Sequence, residues 1–306
     1  MRSTRGVPKR GPILLLNEQS QFLLGDIFED ANLLGDSTPV CRRVVLWGND
    51  AEVKTFPHQS VAVSESLLAG RLWDLVGDEN PAPTGSQAAW QIRLASTAAL
   101  EQEHFGTRIA RSVPVEMREV NSDTCYVESL ENGWLFLMPS GAQSGTLLAV
   151  GGAPDEVLKN SRLIARQIGG IAETGVEFAA YPRVAAQLCG SGWLACGSAA
   201  MSFDPLCGEG AGHAAREAIL AAAVICSAEQ GAESADLQEH YSRQLLAGFL
   251  RHLALCRAFY VSARRGEWWD REIAALDEGI EWTRARIGEF RPPRFRLSGF
   301  ELQSLY

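Results

Sequence analysis

The sequence contains no apolar run long enough to cross a membrane and no paired-cysteine motif. The apolar stretch at residues 218–225 falls well short of the roughly 18 residues that a membrane span needs. The run at residues 13–16 is shorter than a signal-peptide core of about 7–15 residues. The seven cysteines are scattered and form no C-x-x-C pair, so neither a disulfide framework nor a metal site is expected. We therefore expect a cytoplasmic protein without a membrane span.

A surplus of basic residues is also lacking. Lys and Arg number 28 against 37 Asp and Glu, which gives a net charge of −9 and disfavours binding to a nucleic-acid backbone. Hydrophobic residues make up 46% and charged residues 21%, as in ordinary globular proteins, which excludes a disordered, collagen-like or coiled-coil chain. At about 150 residues per domain, 306 residues predict about two domains. No internal repeat is visible.

The first quarter of the chain predicts strands and one helix. Residues 12–17 form an apolar run that is typical of a strand buried on both faces of a sheet. Residues 42–47 and 53–56 predict two more strands. Ser64 is a suitable N-cap for a helix that ends at Val76.

The middle of the chain predicts an antiparallel meander followed by helices. Asn132-Gly133 separates two strand-like runs and predicts a hairpin with a type I′ turn. Further expected elements are strands at 115–120, 124–130, 134–138, 146–150, 176–181 and 193–196, and helices at 155–168, from 212 to about 227, and twice within 235–287. These elements favour a mixed α/β plus α+β architecture.

Residues 192–223 form the most informative segment, because a predicted strand runs through a glycine-rich loop into a long helix. The loop contains Asp204-Pro205 and then Gly208, Gly210 and Gly212. Glycines before a helix allow a ligand to approach the backbone, and the helix N-terminus presents free N–H groups and a positive dipole end. The spacing alone is equally consistent with an ordinary strand–loop–helix junction.

This segment resembles the second flavin-binding motif of the FAD-dependent aromatic hydroxylases, whose superfamily includes the tryptophan halogenases and geranylgeranyl reductases. The usual pattern is G-D-A-A, then D-P or E-P, then G-x-G and a helix. This sequence has GSAA at 197–200, DPL at 204–206 and GEG at 208–210. The similarity covers most of the chain, roughly residues 11–269, and its C-terminal part at residues 257–269 is a weaker match.

The resemblance implies FAD as the cofactor and a set of residues that would bind it. Glu18, after the first strand, would accept hydrogen bonds from the adenosine ribose. Ser198 would contact the ribityl and phosphate region, and Pro205 would pack beside the flavin ring. The other implied cofactor-binding residues lie around the flavin-facing helix N-terminus: Asp204, Gly208, Gly210, Ala211 and Gly212.

The resemblance also implies a domain organisation. A Rossmann-like FAD-binding domain would comprise residues 1–75 and 183–232 and would lack its first βα unit. An antiparallel-sheet substrate domain would comprise residues 76–182, and a helical C-terminal region residues 233–306.

Two positions depart from the family pattern. No G-x-G-x-x-G fingerprint precedes Glu18, so the loop that holds the pyrophosphate is absent from the sequence. Ser198 replaces the usual Asp and brings no charge. The sequence also has neither the catalytic lysine nor the W-x-W-x-I-P signature of the halogenases, so halogenation is not expected.

The leading interpretation is an FAD-dependent monooxygenase that hydroxylates an aromatic or indolic substrate through a flavin C4a-hydroperoxide. The substrate would be a small molecule, or a Trp or Tyr of a partner protein, and NAD(P)H or a flavin reductase would supply electrons. The alternatives are a flavin-free relative that acts as a binding or scaffold protein, and a flavoenzyme whose true start lies upstream.

Three further features have competing interpretations. His213 is either a proton carrier or a polar residue on a solvated helix face. Trp268-Trp269 would line a pocket or, more in keeping with their setting, pack between helices. Arg264-Arg265 would bind an acidic substrate or simply lie at the surface.

Overall fold

The computed structural model describes residues 12–48, 52–77, 90–94, 100–120, 123–263 and 266–305. The strands, in chain order, are β1 (Ile13–Asn17), β2 (Thr38–Leu46), β3 (Lys54–Ser64), β4 (Gln91–Arg93), β5 (Gln102–His104), β6 (Ile109–Met117), β7 (Thr124–Leu130), β8 (Gly133–Pro139), β9 (Ser144–Val150), β10 (Ile168–Ile171), β11 (Val176–Ala179), β12 (Arg183–Ala185), β13 (Cys189–Gly190), β14 (Trp193–Ala195), β15 (Met201–Ser202), β16 (Phe295–Ser298) and β17 (Glu301–Ser304). The α-helices are α1 (Glu18–Phe28), α2 (Glu65–Val76), α3 (Pro154–Leu158), α4 (Gly210–Glu229), α5 (Ser234–Ala263) and α6 (Glu267–Gly288).

The chain divides into two compact units. Unit 1 comprises Met1–Ala82, Arg108–Ala179 and Ala263–Trp268, and unit 2 comprises Pro83–Thr107, Ala180–Ser262 and Trp269–Tyr306, within the residues described. Together they give a mixed α/β fold with a large mixed sheet, smaller sheets that are mostly antiparallel and a helical C-terminal region, as the sequence predicts. Strands from both predicted domains share the large sheet. The domain boundaries, which the family resemblance implies, stay a prediction.

Unit 1 contains a nine-stranded sheet in the order β1-β3-β2-β7-β8-β9-β6-β10, with β11 also paired to β6. Every pairing is antiparallel except β2–β7, which is parallel. On one face, α3 and the short 3₁₀ turn Ile164–Arg166 cover the apolar core. Its fully buried members include Leu135, Leu137, Leu147 and Ile164.

The hairpin predicted at Asn132-Gly133 is present, but its turn differs from the prediction. Leu130 pairs with Gly133, so Glu131 and Asn132 are the two turn residues. Neither has a positive φ, which a type I′ turn requires at both central positions. The positive φ of +139° falls instead on Gly133, where a Cβ would lie 1.9 Å from the Val150 carbonyl oxygen. Glycine is therefore required by the close approach of β9.

The strand predicted at residues 12–17 exists as β1, but its predicted environment is wrong. β1 lies at the edge of the sheet and pairs antiparallel with β3, and of its residues only Leu16 is buried. A short apolar run does not distinguish a buried strand from an edge strand that is covered by helices. Glu18 is exposed and begins α1, whose N-cap Asn17 accepts a hydrogen bond from the Ser20 amide at 2.8 Å.

The helix predicted at residues 155–168 is also wrong beyond its first turn. It ends after Leu158 because the buried carboxylate of Glu128 binds the backbone that would continue it. Glu128 accepts hydrogen bonds from the amides of Arg162 at 2.7 Å and Ile164 at 3.0 Å. Charge-assisted bonds to a buried carboxylate outweigh the local preference for a helix.

Unit 2 contains two three-stranded sheets, β15-β12-β5 and β13-β14-β4, and a β16–β17 hairpin. β14 pairs with β4 in parallel and leads towards α4. Among the described helices, α5 is the one whose length and apolar composition would allow a membrane crossing. Its Tyr241, Phe249 and Tyr260 side chains are fully buried, as in the core helix of a folded domain.

Candidate functional site

The site predicted from the sequence begins at the turn after β14, in unit 2. Gly197 has a φ of +59°, and its amide donates to Oε2 of Glu217 at 2.8 Å. Ser198 is exposed, and its hydroxyl donates to the Leu94 carbonyl oxygen at 3.1 Å. Since that bond uses the only proton of the hydroxyl, Ser198 can accept a hydrogen bond from a ligand but not donate one to a phosphate in this arrangement.

A buried network fixes the Asp204-Pro205 loop. Asp204 is 1% exposed, and its carboxylate accepts from the Leu206 amide at 2.9 Å and from the Tyr260 hydroxyl at 2.7 Å. The Asp204 amide donates to Nε2 of His252 at 2.9 Å, so the proton of a neutral His252 ring lies on Nδ1. The loop, which forms the 3₁₀ turn Pro205–Cys207, is therefore held from two positions on α5.

The glycines that follow lie against open space. Gly208 has a φ of +66°, and a Cβ added at Gly208 or Gly210 would meet no atom of the described residues within 4 Å. Glu209, the N-cap of the 20-residue α4, makes no side-chain capping bond, so the first amides of the helix remain available. Ala211 is half-buried and Gly212 is buried. This open, uncapped helix start fits an electron-rich ring edge or an anionic group.

Glu217 is a functional candidate that the sequence analysis missed. It lies on the apolar face of α4 and is 6% exposed, and burial raises its pKa to about 7. Burial, with the nearby carboxyl of Glu217, raises the pKa of the Cys196 thiol to about 12. Burial raises the pKa of Tyr241 as well, and its hydroxyl donates to the Ala195 carbonyl oxygen at 2.6 Å. An acid in the middle of an Ala-rich helix, in register with Ala221 and Val224, was the available signal.

His213 does not lie on a solvated helix face. Its ring stacks on Phe203 with centroids 4.2 Å apart, and its Nε2 lies 3.3 Å from Oε2 of Glu209. Burial, assisted by Arg216, lowers its pKa even though Glu209 acts in the opposite direction. The imidazole is therefore predominantly neutral at pH 7 and can accept as well as donate a proton.

Of the remaining predicted residues, one belongs to the other unit, one has a packing role and two lie outside the described residues. Glu18 belongs to unit 1, whereas Ser198 and the residues from Asp204 to Gly212 belong to unit 2. Trp269 is fully buried and packs edge-on against Tyr260 at 5.1 Å, which is a packing role. Arg264-Arg265 lie outside the described residues. Cys189 and Cys196 are buried, and Cys207 is half-buried.

The fold of the chain is similar to that of solved FAD-dependent hydroxylases and halogenases. The chain superposes on the peptidyl tryptophan dihydroxylase QhpG, essential for tryptophylquinone cofactor biogenesis, with a TM-score of 0.71 and 15% identity over 97% of this chain and 78% of that one. It also matches CmlS, a flavin-dependent halogenase, with a TM-score of 0.68 and 15% identity over 92% and 66% of the two chains. For Klebsiella pneumoniae HpxO, complexed with FAD and uric acid, the TM-score is 0.61 and the identity 16%, over 92% of this chain and 87% of that one. No family model and no curated sequence matches the chain.

Proposed function

We propose that the chain binds FAD at the loop of residues 197–212 and acts as an FAD-dependent oxidoreductase, most readily a monooxygenase of an aromatic or indolic substrate. The observation that carries the proposal is the open start of α4, where Gly208 and Gly210 leave space above uncapped amides. The fold shared with FAD-dependent hydroxylases supports it. A small molecule, or a Trp or Tyr of a partner protein, would be the substrate.

The chain's own residues would act by positioning and charge stabilisation. FAD, when bound, supplies the redox and oxygen chemistry. The first amides of α4 would stabilise negative charge at the ring edge. The buried Asp204, held by His252 and Tyr260, would keep Pro205 in place beside the ring. His213, neutral and in contact with Glu209, would be able to carry a proton near the helix start.

The test is a titration of the purified chain with FAD, followed by flavin fluorescence and visible absorption. We expect saturable binding at micromolar or lower FAD, and oxygen consumption when NADPH, NADH or a flavin reductase supplies electrons to the complex. Binding and turnover are separate readouts. If no flavin binds at any tested concentration, the proposal is wrong for this chain.

A flavin-free binding protein is the second candidate, and Ser198 favours it. The residue that would replace the family's Asp carries no charge, and its only proton is already donated to Leu94. On this alternative, affinity capture of partners should give a stoichiometric complex whose formation FAD neither promotes nor competes with. Oxygen consumption should then stay at background.

A further inference from the structure

Arg43, on β2 of unit 1, is a half-buried cation to which the described part of the chain supplies no acid. Its Nη2 lies 3.3 Å from Nε2 of His58, and its Nε is buried without a hydrogen-bond partner. The adjacent Arg42 shows the contrast, because it is paired with Asp123 at 2.9 Å. In a chain with a net charge of −9, a partly buried guanidinium without a carboxylate is an unmatched positive charge.

The neighbours of Arg43 cannot neutralise this charge. Burial and the Arg43 charge lower the pKa of His58 to about 4, so the imidazole is neutral at pH 7. Its Nε2 must then accept from Arg43, which leaves Nδ1–H as a donor. Burial raises the pKa of the Cys125 thiol, which also lies beside Arg43, so that thiol stays protonated. Arg43 and His58 together therefore offer N–H donors and one net positive charge.

Aromatic and apolar side chains border the guanidinium. Phe56 lies directly opposite Arg43 in the β2–β3 register, which places both on one face of the sheet, and it is 48% exposed. The Arg43 guanidinium carbon lies 5.8 Å from the centroid of the Phe136 ring. An exposed ring beside an unmatched guanidinium suits a flat ligand that carries a planar anion, because guanidinium and carboxylate can form two parallel hydrogen bonds.

We infer that Arg43, His58 and Phe56 form a binding site for an aromatic carboxylate on the sheet of unit 1. The guanidinium would bind the carboxylate, Nδ1–H of His58 would donate a further hydrogen bond, and Phe56 would pack on the aromatic ring. The site uses residues of unit 1 only and needs no flavin. Binding of an aromatic carboxylate at this site is therefore independent of FAD binding, and it goes beyond the proposed function.

The test uses benzoate as the probe and the full chain without flavin, observed by amide chemical shifts in an NMR titration. We expect saturable shifts centred on residues 43, 56 and 58. Benzamide has the same shape without the charge and should bind at least about tenfold more weakly, as expected when a charge-assisted bond is lost. This comparison needs no mutation, so a folding defect cannot confuse it.

Three variants complete the experiment. Arg43→Gln should weaken benzoate binding about tenfold or more, whereas Arg42→Gln removes the same charge from the neighbouring position and should change it less than twofold. Arg43→Lys, which keeps the charge but loses the planar fork, should give an intermediate loss. The inference is overturned if benzoate does not saturate the wild type, if a folded Arg43→Gln variant binds equally well, or if inorganic phosphate competes as strongly as benzoate.

Discussion

The Gly197 amide donates to the carboxyl of Glu217 at 2.8 Å inside unit 2. Glu217, the eighth residue of α4, therefore holds the turn that leads to the Asp204-Pro205 loop. Because Glu217 is buried, its pKa of about 7 lies above the ordinary value of 4.5. The folded state therefore holds this proton more tightly than the unfolded state does. As a result, Glu217 makes the protein more stable below about pH 4.5 than above about pH 7.

We therefore predict that stability falls between pH 4.5 and pH 7 more steeply in the wild type than in Glu217→Gln. The upper limit of the difference is on the order of 3 kcal/mol, because the pKa of Glu217 rises from 4.5 to about 7 and each tenfold change in proton affinity is worth roughly 1.4 kcal/mol. Urea unfolding at pH 5 and pH 8 measures it. Glu229→Gln, an exposed position on the same helix, is the control and should follow the wild type. Parallel pH profiles for wild type and Glu217→Gln would contradict the prediction.

The Tyr260–Asp204 hydrogen bond should contribute more to the free energy of unfolding than an ordinary hydrogen bond, since it is buried and its acceptor is a carboxylate. Tyr260→Phe should lower the free energy of unfolding by about 1.5–3 kcal/mol. Tyr181→Phe, at a half-buried tyrosine of the same unit, should cost less than about 1 kcal/mol. Chemical denaturation of both variants measures this, and equal losses would remove the special role of the Asp204 network.

Gly210 should be the most informative position for flavin binding. Gly210→Val would fill the open space at the start of α4 without a positive φ to strain the backbone, so FAD affinity should fall about tenfold or more, about 1.4 kcal/mol, with little loss of stability. Gly288→Val makes the same change at another open helix end and should leave FAD affinity unchanged. Fluorescence titration compares them. Unchanged FAD affinity in Gly210→Val would place any flavin elsewhere.

The predicted ribose contact of Glu18 is tested by comparing two flavins. Glu18→Gln should weaken the binding of FAD but not the binding of FMN, because FMN has no adenosine. Glu65→Gln, the corresponding exposed acid in the first turn of α2, should affect neither flavin. Equal affinities for both flavins in all three proteins would exclude a ribose role for Glu18.

Gly133 should tolerate no side chain. Its Cβ would lie 1.9 Å from the Val150 oxygen at a φ of +139°, so Gly133→Ala should destabilise unit 1 by about 2 kcal/mol or more. Gly70→Ala, in open space on α2, should instead stabilise by about 0.5–1 kcal/mol. Urea unfolding of the pair measures both signs, and a neutral Gly133→Ala would be inconsistent with the close approach of β9.

The sequence predicts local features well where the signal is itself local. The β7–β8 hairpin, α2 and the helix after the glycine loop lie where the sequence predicts them. The hairpin turn is nevertheless not type I′, and Ser64 at the N-cap of α2 makes no side-chain capping bond. Contacts with distant partners are not encoded in any window of sequence. Glu128 ends the predicted helix from 34 residues away, and His252 binds Asp204 from 48 residues away. For the same reason, periodicity identified β1 as a strand but not its place at a sheet edge.

The parallel β2–β7 pair has a consequence for how unit 1 folds. It joins the two halves of the nine-stranded sheet through residues such as Arg42 and Asp123, which are 81 positions apart in the chain. The meander β7-β8-β9 closes through short turns, whereas β2 can dock on it only after a long loop has been closed. We expect the meander to form early and the β1-β3-β2 half to join it in the slow step. Destabilising substitutions in β2 would then slow folding in proportion to how far the docking of β2 has advanced in the transition state.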